Sequence, residues 1–174
     1  MKLSVAIRLI EKGVKGTSLP QRWADLGAGN GLFTHALASI LPVGSSVDAI
    51  DKNDVPLDRI KFSIPTVAIR KIQKDFVRDI FELDQLDGIL MANSLHYVSD
   101  KVEFLRRIKK KLNSDGRMIL VEYDRDAPTP WVPFPVNLEA LKRTMSDAGF
   151  SSVIQIGEEP SVYRQGMMYS AAIG

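Results

Sequence analysis

Three glycines in five residues, Gly27-Ala28-Gly29-Asn30-Gly31, stand between two unlike segments. Before them runs the short apolar stretch Trp23-Ala24-Asp25-Leu26; after them Leu32, Phe33, Ala36, Leu37 and Ile40 recur at one-turn spacing. The first reads as a strand and the second as a helix. A strand that turns through glycine directly into a helix is the opening unit of an open α/β sheet, and no other feature constrains the fold as tightly. Glycine there permits positive φ and close approach of a ligand to the backbone. The start of the helix adds N–H groups that have no intrahelical partner. Open α/β sheets bind ligands at this place, outside the carboxyl end of a central strand.

The rest of the chain continues the alternation. A lead-in helix is expected from Leu3 to Lys12, ended by the Gly13 and Gly16 region. Pro42 and Gly44 stop the helix after the glycine turn. Further strands are expected at Val47 to Ile50, Val67 to Lys74, Leu86 to Met91 and Arg117 to Glu122. Asp100, with Glu103 three residues on, starts a helix whose apolar face is Phe104, Leu105, Ile108 and Leu112. After a proline-rich loop from Ala127 to Pro135, Asn137 caps a helix through Leu138, Leu141, Met145 and Ala148, closed by Gly149. Ser152 to Ile156 and Tyr163 to Ile173 read as two strands with no helix between them, hence an antiparallel hairpin at an edge. Strands separated by helices pair in parallel through right-handed crossovers. The expected class is α/β: a three-layer α/β/α sandwich on a mostly parallel sheet, as a single domain over residues 1–174. The segment Phe76 to Gln85 leaves room for only a small crossover helix, or none.

Composition removes several kinds of chemistry. The chain has no cysteine and only two histidines, His35 and His96, so disulfides, thiolate nucleophiles and metal centres are not expected. A net charge of +2 gives the molecule no strong field for nucleic acid or a membrane surface. The apolar start Met1 to Ile7 is broken by Arg8 and Glu11 too early for a signal peptide. No run approaches the roughly 20 apolar residues that span a bilayer. A cytoplasmic protein is expected, as a monomer or homodimer.

The spacing of the glycines separates cofactor classes. A nicotinamide or flavin fingerprint, G-x-G-x-x-G, needs glycine at position 32, where this chain has Leu32. Here the third glycine comes one residue early, and Asp25 stands two positions before the first. Asp51 ends the second strand, 20 residues after Gly31, where a carboxylate can accept hydrogen bonds from ribose hydroxyls. Asp75-Phe76 ends the third strand, Asn93-Ser94-Leu95-His96-Tyr97 follows the fourth, and Leu112 to Arg117 leads into the fifth.

In this order the four pieces resemble the class I S-adenosylmethionine-dependent methyltransferases, a Rossmann-like, seven-stranded family, in its small-molecule branch. The resemblance is close from about residue 20 to 125 and extends to element order beyond. It implies S-adenosyl-L-methionine as cofactor, held by Asp25, Gly27, Ala28, Gly29, Asn30, Asp51, Lys52, Asp75, Phe76 and Asn93. Asp75 would accept from the adenine amino group, Phe76 would lie near the ring, and Asn93 would help hold the methionine end. Phe76 can equally be plain core.

Methyl transfer from a sulfonium is an in-line displacement, so the protein's main task is to position the partners and exclude water. A base is required only for an acceptor that arrives protonated. His96 is placed for that role and Tyr97 sits beside it; a structural histidine capping the loop is the other reading of His96. Glu122, Tyr123 and Asp124 close the fifth strand on the same rim. His35 reads as a surface or packing residue. The basic run Arg106, Arg107, Lys109, Lys110 and Lys111 reads as a solvated helix face. Two observations argue against a nucleic-acid acceptor: Asn93-Ser94-Leu95 stands where amino-methylating nucleobase enzymes carry Asn-Pro-Pro-Tyr, and no length remains for an RNA-binding domain. A small-molecule acceptor is expected, with Trp131 and Phe134 either forming an aromatic wall for it or pinning their loop. The competing functions are a non-catalytic interaction module and an NAD(P)-dependent oxidoreductase.

Overall fold

The computed structural model describes residues 1–53, 66–79, 83–161 and 166–174. Its elements are α1 (Leu3–Ile10), β1 (Arg22–Leu26), α2 (Leu32–Ala38), β2 (Ser46–Asp51), β3 (Ala68–Gln73), β4 (Leu86–Ala92), α3 (Lys101–Lys109), β5 (Leu112–Tyr123), α4 (Leu138–Asp147), β6 (Val153–Pro160) and β7 (Met167–Ile173). The strands form one seven-stranded sheet in the order β3-β2-β1-β4-β5-β7-β6. Neighbours from β3 to β5 pair in parallel, and β7 runs antiparallel to both β5 and β6. The chain works outward from β1 to β3 and then restarts on the other side of β1 with β4. This reversal opens a crevice at the carboxyl ends of β1 and β4.

Alternation along the strands builds the three layers. Ile89 and Met91 of β4 and Met118 and Leu120 of β5 pack with Phe104, Leu105 and Ile108 of α3 and Leu141 and Met145 of α4. Leu90 of β4 and Ile119 and Val121 of β5 face the other way, toward Ala6, Leu9 and Ile10 of α1 and Phe33, Ala36 and Leu37 of α2. A period of two in the strands and of three to four in the helices thus serves two cores on opposite faces of one sheet.

Both expected caps form: Asp100 Oδ1 accepts from the Glu103 N–H at 3.1 Å, and Asn137 Oδ1 from the Ala140 N–H at 2.7 Å. Part of the basic run has a structural use. Arg106 Nη2 donates to the Asp147 carbonyl at 2.9 Å and Lys109 Nζ donates to the Gly149 carbonyl, placing two cations at the negative end of α4.

Two expectations need adjustment. Leu112 is not on the face of α3, which ends at Lys109; it pairs with Leu86 in the sheet. The register then jumps to Gly88↔Arg117, so residues 113–116 bulge out between two paired stretches. The terminal hairpin does lie at the edge, but its second strand is internal: β7 inserts between β5 and β6, where its small residues Ser170, Ala171 and Ala172 suit a position flanked on both sides. The expected start of that strand at Tyr163 lies outside the described residues, as does part of the segment after Phe76, of which 76–79 form a turn.

Candidate active site

The turn after β1 depends on left-handed backbone, with φ of 84° at Gly27, 53° at Gly29 and 76° at Gly31. The N–H groups of Gly27 and Ala28 both donate to the Ile50 carbonyl, at 2.8 and 3.0 Å, which ties the turn to the end of β2. A methyl group on Gly27 would stand 2.5 Å from Ser94 Cβ and 3.3 Å from the Phe76 ring. Ser94, which the sequence did not single out, donates its hydroxyl to the Leu26 carbonyl at 2.6 Å and so holds the end of β4 against the turn.

Asp51 stands across from the glycines. Its Oδ2 accepts from the Gly29 N–H and its Oδ1 from the Asn53 N–H, both at 2.9 Å. An ionised carboxylate has about four acceptor positions, so two remain for a ligand. Asp75 is gripped by its own turn: Oδ1 accepts from the Val77 N–H at 3.0 Å and Oδ2 lies 3.7 Å from Arg78 Nε. Phe76 packs its ring edge-on to Phe104 at 5.9 Å, as a core residue does, and also lines the cleft.

Beneath the turn Asp25 is completely buried. Thr34 of α2 donates to its Oδ2 at 2.6 Å, while Oδ1 has no partner among the described residues. Burial pushes its carboxyl up to about 7, against the opposing Thr34 hydrogen bond, and the charge of Asp51 adds to the rise. Asn93, at the end of β4, adopts a left-handed φ of 53°, and its Oδ1 is a second buried oxygen without a partner among the described residues.

Two hollows meet over the crevice. One, of about 890 Å³, is lined by Gly27, Ala28, Gly29, Asn30, Asp51, Lys52, Asp75, Phe76 and Asn93. These are the expected cofactor residues apart from Asp25, which lies under the floor. Met1, His35 of α2 and Met168 of β7 also line it. The second, of about 910 Å³, is formed by the rim of β5, the proline-rich loop and the end of the terminal hairpin. Asn93, Tyr97 and Tyr123 line both hollows and so mark the junction. Both volumes lie within the range of small-molecule sites.

His96 belongs to the second hollow. Its Nδ1 lies 2.7 Å from Glu122 Oε2, and its backbone N–H donates to Glu122 Oε1 at 3.1 Å. Both side chains are buried. Burial lowers the Lys101 ammonium from its ordinary value, with Glu122 partly opposing the shift, and raises the Tyr169 phenol, with Glu122 and Asp124 adding to that rise. Tyr97 is half-exposed, with its ring centroid 4.3 Å from that of His96. Of the two aromatics in the proline-rich loop, Trp131 lines the hollow and is 69% exposed. Phe134 instead pins the loop: its N–H donates to the His96 carbonyl at 3.0 Å, and its ring lies beneath Lys101 Nζ at 5.5 Å.

No curated protein is a match to the chain. Among solved structures, it resembles a SAM-dependent methyltransferase from Leishmania major (TM-score 0.77, 17% identity, 99% of this chain on 72% of that one). It also resembles a SAM-dependent methyltransferase from Archaeoglobus fulgidus (0.70, 15%, 99% on 94%). A third is an arsenic(III) S-adenosylmethionine methyltransferase from Chlamydomonas reinhardtii (0.69, 19%, 97% on 72%). At these identities the likeness is one of fold. The sequence itself matches the methyltransferase-domain family over residues 24–118, from β1 into β5. With more than half its length so matched, the chain belongs to the methyltransferase-domain family and carries the Rossmann-like sheet of its class I, S-adenosylmethionine-dependent members.

Proposed function

We propose that this chain, working as one domain over residues 1–174, binds S-adenosylmethionine in the glycine-lined cleft and methylates a small molecule held in the adjoining pocket. The observation that carries the reading is the pair of buried oxygens without partners among the described residues, Asp25 Oδ1 and Asn93 Oδ1, flanking a turn where even a methyl group on Gly27 would collide. Buried acceptors without donors are costly and call for a ligand that supplies them. An adenosyl amino acid fits this donor-poor set: it brings ribose hydroxyls for Asp51, an exocyclic amine for Asp75, and cationic groups over Asp25. When bound, it supplies a methyl group already activated on a sulfonium. The chain's residues bind and orient it, bring the acceptor to the junction at Asn93, Tyr97 and Tyr123, and keep water from that junction.

Titration with S-adenosylhomocysteine is expected to shift the amide resonances of Gly29, Asn30 and Asp51 and to leave those of Thr129 and Val132 in place. Shifts confined to the second group contradict the assignment of the two pockets. Trp131→Ala, at the mouth of the second pocket, is expected to leave S-adenosylhomocysteine affinity within about twofold, since an exposed side chain away from the first pocket adds little to its binding. A larger loss makes Trp131 part of the cofactor site.

A further inference from the structure

We infer that the methyl acceptor is an aromatic carboxylic acid, whose carboxylate is held by the guanidinium of Arg125 while its opposite end reaches the junction of the two pockets. The inference rests on the reading of those pockets above.

Arg125 stands just after β5, is half-buried, and lines the second pocket but not the first. Its Nε donates to the Ala127 carbonyl at 2.9 Å, a local bond that fixes the plane of the guanidinium. Among the described residues no carboxylate pairs with it, although Asp124 and Asp126 flank it in the chain. Both acids serve the start of α4 instead. Asp124 Oδ1 accepts from the Leu138 N–H at 3.3 Å, and Asp126 Oδ1 accepts from the side-chain amide of the Asn137 cap. Their charge is thereby directed at the positive end of a helix. A guanidinium only donates and does not lose its proton, so the N–H groups of its two Nη atoms are left for a ligand.

A planar anion with two oxygens matches that fork through two parallel hydrogen bonds. One guanidinium also suits one negative charge. A phosphate dianion would leave its second charge facing Asp124, which lines the same pocket. The remaining walls indicate what carries the carboxylate. Trp131, Val132 and Met167 are apolar, and Tyr97 and Tyr123 stand at the junction with the cofactor cleft. Such walls suit a planar aromatic body. Because Arg125 belongs to the second pocket alone, the carboxylate is the handle and the opposite end of the acceptor faces the cofactor.

The test uses protein first shown by calorimetry to bind S-adenosylhomocysteine. The loaded protein is titrated at neutral pH with 2-naphthoate and with its uncharged isostere 2-naphthamide, followed through the amide resonances of Thr129 and Val132, which line the second pocket. The carboxylate is expected to bind at least about tenfold more tightly than the amide, the worth of a charge-assisted pair at a half-exposed position, and to move the Arg125 Nε–H signal. Arg125→Gln should bring 2-naphthoate down to the affinity of the amide. It should leave the affinities for 2-naphthamide and S-adenosylhomocysteine within about twofold, a selective loss that a merely structural side chain would not give. The comparison of the two probes on the parent decides the matter by itself should the variant fail to fold. The inference is overturned if 2-naphthamide binds as tightly as 2-naphthoate, if neither binds the loaded protein, or if Arg125→Gln keeps the parent's preference. Failure to bind S-adenosylhomocysteine at the first step is a separate result, which removes the pocket reading beneath it.

Discussion

Gly27→Ala is expected to destabilise the fold by about 2–5 kcal/mol, which for a chain of this length lowers Tm by roughly 10 °C. Two costs add at this position. A side chain at φ 84° is strained, at about 1–2 kcal/mol. The new methyl group would also stand 2.5 Å from Ser94 Cβ, which the bond from Ser94 to the Leu26 carbonyl keeps from retreating. Overpacking of this kind adds about 1–3 kcal/mol. Gly29→Ala isolates the first cost, because nothing lies closer than 4.0 Å to a methyl group there. It should lose only about 1–2 kcal/mol. Urea unfolding of the two variants side by side checks the difference; equal losses would show that the approach of β4 to the turn is not tight.

Asp25→Asn is expected to change how stability depends on pH. Burial pushes the folded carboxyl up to about 7, from the 3.8 ordinary for an aspartate. Between these two values the folded state holds a proton that the unfolded state has released. Stability therefore falls as pH rises through the window and levels off above about 7. At about 1.4 kcal/mol per pH unit the loss is on the order of 4 kcal/mol. The amide has no such slope. Relative to the parent, Asp25→Asn should gain stability from pH 4 to about 7 and no further up to pH 8, read from denaturant midpoints across that range. A constant difference would mean that Asp25 is ionised throughout and has a cationic or N–H partner in the ligand-free protein. Under the proposed function the same variant binds S-adenosylmethionine less well, because a buried negative charge near a cationic ligand is lost. In the parent, binding should release a proton near neutrality, visible as a dependence of calorimetric heat on the buffer.

How much of this was legible beforehand varied with the physical range of each signal. The glycine turn, the acids at the ends of β2 and β3, and both helix caps are local, since each depends on residues a few positions apart. They appear where the sequence places them. The assignment of Leu112 to a helix followed its spacing from Ile108, but pairing with Leu86 was the stronger claim on it. No period within one segment reveals a partner 26 residues away. The insertion of β7 between β5 and β6 was hidden for the same reason, because hairpin pairing is local and the choice of which strand joins the sheet is not. In the site, Ser94 and Thr34 carry no signature on their own; they matter because folding brings one against Gly27 and the other against Asp25. The bond between His96 and Glu122 likewise joins the ends of two neighbouring strands, and only the adjacency of β4 and β5 makes it visible.

The most direct measurement is calorimetric titration of the parent protein and Asp51→Ala with S-adenosylmethionine and S-adenosylhomocysteine, with NADH and NADPH as controls. The proposed function predicts that both adenosyl ligands bind the parent and that neither nicotinamide does. Asp51→Ala should weaken their binding by about 10- to 100-fold, the worth of one hydrogen-bonded charged group. A folded parent that ignores the adenosyl ligands, or takes NADH in their place, would contradict it.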